Sequence, residues 1–145
     1  MKIKAFQGFR YNPDVVGDPR RCIAPPYDVI DADQQQRLYD QTEYNIVRVS
    51  KGKTFTADNE SDNVYTRANV FLRDFLRRGA LQQDQKDTLY VYAQDFTIGD
   101  TSYRRTGFIA LGELQDYGGA VKPHEQTLAG PKADRLNLTR ATKTQ

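Results

Sequence analysis

Ser61-Asp62-Asn63-Val64-Tyr65-Thr66-Arg67-Ala68-Asn69-Val70-Phe71-Leu72-Arg73-Asp74-Phe75-Leu76-Arg77-Arg78-Gly79 is the stretch that decides the fold. Val64, Ala68, Phe71, Leu72, Phe75 and Leu76 recur at i, i+4, i+7, i+8, i+11 and i+12, which is one apolar stripe of an α-helix. Ser61 or Asp62 supplies the N-cap, and Gly79 follows the last turn as a C-terminal stop. Each buried Phe or Leu stabilises by roughly 1.5–3 kcal/mol, so this helix is expected to anchor the core. Arg67, Arg73, Arg77 and Arg78 resemble a nucleic-acid face, but Asp74 interrupts them and the last arginines suit a helix C-terminus.

Immediately downstream, Thr88-Leu89-Tyr90-Val91-Tyr92-Ala93-Gln94-Asp95-Phe96 has the alternation and aromatic content of a strand. Gly99-Asp100 makes a tight turn and Ser102 to Leu111 returns as the second arm of a hairpin. Phe108-Ile109-Ala110-Leu111 is apolar on both faces, which predicts a central strand. Upstream, Ile3 to Arg10 and Tyr44 to Val49 also alternate in the strand manner. Asp31 with Gln34 three residues on is a capping signal for a helix to about Asp40. These elements sum to an α+β domain over residues 1–145: a mixed or antiparallel sheet with a central hairpin, and three or four helices packed against it, the 61–78 helix across one face.

The 145 residues suffice for one domain with its own core. A hydrophobic fraction of 38% beside 28% charged residues means a polar surface, while nine Tyr and seven Phe argue against disorder. A net charge of +2 does not favour nucleic acid as a partner. No apolar run reaches the ~20 residues of a membrane span, and the start lacks a secretory apolar region. A single cysteine, Cys22, excludes an internal disulfide and suits the cytoplasm. One histidine and one cysteine far apart do not make a zinc site, so no metal ligand set is assigned.

Candidate chemistry concentrates in Lys122-Pro123-His124-Glu125-Gln126-Thr127-Leu128-Ala129-Gly130-Pro131-Lys132-Ala133-Asp134-Arg135. Here the only histidine stands beside a carboxylate, with a hydroxyl three residues on. Gly130-Pro131 is expected to turn the chain into a helix opened by Lys132, Asp134 and Arg135. Amides at a helix start flanked by two cations are an anion site. His124 suits proton transfer near neutral pH, and Thr127 can donate to a phosphate or carboxylate. A second stiff segment, Pro25-Pro26-Tyr27-Asp28, aims Tyr27 and Asp28 at a ligand if it folds nearby; either bond to proline can be cis. Both segments also read as proline-punctuated loops of no chemical role. Ser50-Lys51-Gly52-Lys53-Thr54 lacks the spaced glycines of a phosphate loop and reads as a solvated turn. The helix from Asp134 meets Gln145 without a C-cap, and the expectation is a piece of a longer protein, poorly packed after Lys132.

Three segments together, Ala24-Pro25-Pro26-Tyr27-Asp28-Val29-Ile30, Tyr44-Asn45-Ile46-Val47-Arg48-Val49 and Pro123-His124-Glu125-Gln126-Thr127 with Gly130 to Arg135, resemble the N-terminal part of the bacterial and archaeal family catalogued as domain of unknown function ten-fifteen. The resemblance covers most of the chain. It implies longer members whose later portion carries an Asp-Gly-His-His-Arg segment similar to that of free serine kinases of the ParB-like fold. No such segment occurs in this sequence, so the chain would hold at most half of such a site. On that analogy this is part of an ATP-dependent phosphotransferase for a small molecule, with His124 and Glu125 catalytic and Tyr27, Asp28, Thr127, Lys132 and Arg135 on the ligand. The cofactor stays open, magnesium and ATP being those such chemistry uses, and the missing C-terminal half is the implied partner. A non-catalytic module that binds nucleic acid or protein, and a structural support for a catalytic half, are the alternatives.

Overall fold

A computed structural model describes residues 2–119, 121–123, 126 and 128–144. Among them the chain forms β1 (Ile3–Lys4), β2 (Phe9–Tyr11), α1 (Pro13–Val16), α2 (Ala32–Gln41), α3 (Val47–Ser50), α4 (Val64–Arg77), β3 (Leu81–Gln83), β4 (Tyr90–Ile98), β5 (Thr101–Ile109), β6 (Leu111–Gly112) and α5 (Ala129–Thr142). Helices and small two-stranded antiparallel sheets make this an α+β fold. Two compact units divide it, one of Met1–Phe9 and Gln83–Gln126, the other of Arg10–Gln82 and Thr127–Gln145.

The first unit is built on the hairpin. β4 and β5 pair without a break from Tyr90↔Ile109 to Ile98↔Thr101. Gly99, with φ 58, opens the two-residue loop, and a positive φ at that position is what glycine supplies without strain. β6 leaves β5 to pair with β1, and a bridge joins Phe6 to Thr88. β5 therefore has one neighbour among the described strands, and the expected central strand is not formed: Val91 is 75% and Phe108 61% exposed. Apolar residues on both faces marked burial that this two-stranded sheet does not give. Gly8 is packed under Tyr90, whose hydroxyl accepts from the Gly8 amide at 2.7 Å and donates to Asp84 at 2.6 Å.

The second unit holds the helices. Asp31 caps α2 by accepting from the Gln34 amide, as its spacing predicts. The cap of α4 is neither Ser61 nor Asp62 but Asn63, whose side chain accepts from the Thr66 amide while the Thr66 hydroxyl oxygen accepts from the Asn63 amide, completing a capping box. The α4 stripe is received by α3 and α5 within its own unit. Phe75 sits in the core with Cys22, Tyr44, Ala80 and Leu81, its ring edge-on to Tyr44 at 5.7 Å. Leu76, at the margin of the stripe, is 36% exposed.

Tyr44 to Val49 is not a strand. Asn45 is fully buried and its side-chain oxygen accepts from the Val47 amide at 3.0 Å, starting the short α3. Its amide nitrogen donates to the carbonyls of Arg21 (2.8 Å) and Ile23 (3.0 Å). A short apolar run carries too few residues for its period to separate strand from helix, and the side-chain bond from Asn45 decides it.

Two corrections fall on α5. Gly130-Pro131 does not precede the helix but lies in its first turn, where a missing proline N–H costs no bond. The helix also ends: Lys143 adopts φ 54 and its amide donates to the Thr139 carbonyl at 2.8 Å. Thr142 in the last turn is buried, while Ala133, Leu136, Asn137, Thr139 and Arg140 are exposed. Among the described residues no helix is long and apolar enough to cross a membrane.

Candidate functional site

A cavity of about 570 Å³ opens in the second unit, where Gln35 of α2 lines it together with four further segments. The first is the 3₁₀ turn Tyr27–Val29, which leaves Pro25-Pro26 through trans peptide bonds and presents Tyr27. Asn45 holds the approach to this turn by its bonds to Arg21 and Ile23, so the stiff proline pair starts from an anchored point.

The second wall is the stretch from Val49 to Phe55. Gln35 on α2 donates to the carbonyls of Lys51 (2.8 Å) and Gly52 (3.2 Å), and the Lys53 amide donates to the Tyr39 hydroxyl. Gly52 is needed for packing: a side chain there would meet Val64 at 3.0 Å and the Arg48 carbonyl at 3.2 Å. The Ser50 hydroxyl is buried without a hydrogen-bond partner among the described residues. Lys53 reaches Gln36 and lies over the Tyr39 ring, while Lys51 forms no ion pair among the described residues.

Val64 and Tyr65 of α4 form the third wall, and the first turns of α5 the fourth, through Gly130, Pro131, Asp134, Arg135 and Leu138. Leu128 at the N-cap has no side chain that can accept, and no acidic residue stands in the first turn, so among the described residues the first turn of α5 supplies no group that neutralises its positive end. Asp134 accepts from the Tyr65 hydroxyl at 3.0 Å and from Arg135 Nε at 2.9 Å. Arg135 donates on to the Ser50 carbonyl at 2.9 Å, and its guanidinium lies 3.9 Å from the centre of the Tyr27 ring. Burial first, and the bond to Asp134 second, raise the Tyr65 pKa, so its hydroxyl stays a donor.

Of the residues expected at the site, Tyr27 and Arg135 meet in this cavity. Asp28 and Lys132 are exposed and outside its lining. His124, Glu125 and Thr127 lie outside the described residues. Arg135 is largely engaged with Asp134, Ser50 and Tyr27, so it clasps the walls together. The residues sequence reasoning passed over are Ser50, Lys51, Tyr65 and Asp134. Only the lysine pair around Gly52 carried a local signal, and Tyr65 carried none, because its partner is 69 residues away.

The arginines that suggested a nucleic-acid face are mostly engaged. Arg67 holds Asp58 and Asp62, Arg77 holds Asp74, and Arg78 holds Glu43 and Asp74. Cys22 is buried and its thiol pKa is raised, chiefly by that burial, which suits a core residue and not a nucleophile.

The family described as protein of unknown function DUF1015 matches residues 3–145, and the chain belongs to it. No curated protein and no solved structure matches the chain.

Proposed function

We propose that in this member of the DUF1015 family the cavity binds the phosphates of a nucleotide, as part of an ATP-dependent phosphotransferase for a small hydroxyl-bearing molecule. One observation carries the proposal: the first turn of α5, without a side-chain cap among the described residues, borders a cavity that also contains the Ser50 hydroxyl, unpartnered among those residues, and the cation Lys51. Backbone amides, a hydroxyl and an ammonium are the groups that hold phosphate oxygens. Tyr27, Phe55 and Tyr65 add aromatic surface to the same walls. The lining carries Lys51, Lys53 and Arg135 against Asp134, a positive excess that suits an anion.

In such a transfer the phosphorus–oxygen bond to the leaving nucleotide breaks as the bond to the acceptor hydroxyl forms. The acceptor's proton goes to a base. His124 and Glu125, a few residues ahead of α5 in sequence, are the groups proposed for that proton. The described residues hold no cluster of metal ligands, and Asp134 is committed to Arg135 and Tyr65. Magnesium is therefore proposed to arrive on the nucleotide's own phosphates. A nucleic-acid-binding role is the weaker reading, since the arginines that would serve it are engaged in ion pairs.

Calorimetric titration of the intact gene product with magnesium–ATP tests this. Losing a charge-assisted bond costs about 1.5–3 kcal/mol, so Lys51→Ala should weaken binding roughly tenfold or more. Ser50→Ala should weaken it less. Turnover with free serine should be lost in His124→Asn or Glu125→Gln. A wild-type protein that shows no heat of binding with magnesium–ATP overturns the proposal.

A further inference from the structure

Arg67 stands on α4 outside the cavity lining, yet its guanidinium is spent on the chain that forms the cavity rim. Nη2 donates to the Lys53 carbonyl at 3.0 Å and to Asp58 Oδ2 at 2.9 Å. Nη1 reaches Asp58 Oδ1 and Asp62 Oδ1, both at 2.8 Å. The same planar group lies 4.7 Å from the centre of the Phe55 ring. The segment between residues 53 and 62 contains no helix or strand, so its backbone has few bonds of its own. Two of them are local: the Asp58 amide donates to Phe55 and the Asn59 amide to Asp62. Lys53, Thr54 and Phe55 from this segment line the cavity.

We propose that Arg67 is the positioning residue of the cavity rim, holding Lys53, Thr54 and Phe55 in place by binding the 53–62 segment at four points from a rigid helix. The inference deepens the nucleotide-binding proposal and rests on it for the ligand, but the rim's dependence on Arg67 is measurable without one. Only arginine fits the task. Its fork serves a carbonyl and two carboxylates at once while its flat face covers an aromatic ring, and a lysine ammonium of the same charge cannot span those positions. Both aspartates belong to the segment, so the ion pairs pull the loop, and nothing else, onto α4. Asp58 is held below the usual carboxylate range, first by its bond to Arg67, as a ligand of this cation should be.

Hydrogen exchange of the intact protein, wild type against Arg67→Lys and Asp58→Asn, reads the rim directly. Asp58→Asn leaves α4 unaltered and guards against a variant that simply unfolds the helix. In both, amides of residues 53–62 should exchange at least tenfold faster while those of α4 keep their protection. Magnesium–ATP affinity should fall severalfold in both. Exchange of 53–62 unchanged in both variants overturns the role of Arg67. Faster exchange with no magnesium–ATP binding even in wild type keeps the role of Arg67 and overturns the nucleotide reading instead.

Discussion

Asn45→Ala should unsettle the second unit more than any surface change. The side chain is fully buried and makes three hydrogen bonds, two given to the carbonyls of Arg21 and Ile23 and one taken from the Val47 amide. Truncation strands all three backbone groups. At about 1–3 kcal/mol for each buried group left unpaired, the loss is on the order of 3–9 kcal/mol. That is a large part of the ~5–15 kcal/mol that holds a typical domain together. Asn45→Asp keeps an acceptor for Val47 but sets a carboxylate against two carbonyl oxygens, so at neutral pH it should be worse than Ala. Its folded carboxyl pKa would be raised above the unfolded value of ~3.9, so the stability of its protonated form is full below that value. That stability is lost as pH rises through the folded pKa. Relative to wild type at the same pH, Asn45→Asp should therefore improve on acidification, whereas Asn45→Ala should not. Urea unfolding followed by circular dichroism measures both. A loss below about 1 kcal/mol for Asn45→Ala, no more than an average substitution, would refute the reasoning.

Phe75→Ala should cost about 3–5 kcal/mol in the same assay, and Phe71→Ala less, because Phe71 is only partly buried. In the first unit, Gly8→Ala brings a methyl within 2.8 Å of the Tyr90 hydroxyl and 2.9 Å of its ring carbon, so a loss of about 1–3 kcal/mol is expected, partly relieved in Gly8→Ala with Tyr90→Leu. Glu43, Asp58, Asp74 and Asp95 are each held below the usual carboxylate range, first by a bond to an arginine. Lowered folded pKa values give stability that is present above the unfolded values of ~3.9–4.3 and lost as pH falls through the folded ones. The melting temperature should thus drop on acidification below about pH 4, less steeply in high salt.

The helices α2 and α4 and the 90–109 hairpin are legible in the sequence because each is specified by neighbours. Asp31 meets the amide three residues on, the α4 stripe repeats at the helical period, and Gly99 supplies a turn where a positive φ is needed. Local signals fail where several residues compete or where the run is short. Ser61, Asp62 and Asn63 are all good caps, and Asn63 prevails through its reciprocal bond with Thr66. Tyr44 to Val49 has a strand's residues but becomes the start of α3, because Asn45 is bound to carbonyls 22 and 24 residues earlier. Which apolar residues are covered is likewise not a local matter: Phe108 and Phe75 look alike in sequence, yet one is 61% exposed and the other 2%. The cavity is the extreme case. Tyr27 and Arg135 each stood out as stiff or charged positions, but that they touch depends on a contact spanning the chain, fixed by the bond from Arg135 to the Ser50 carbonyl across 85 residues. Periodicity and capping act over one or two turns, so they determine elements; bringing Tyr27, Ser50, Tyr65 and Arg135 around one space requires the helices to pack, and only the tertiary structure decides that.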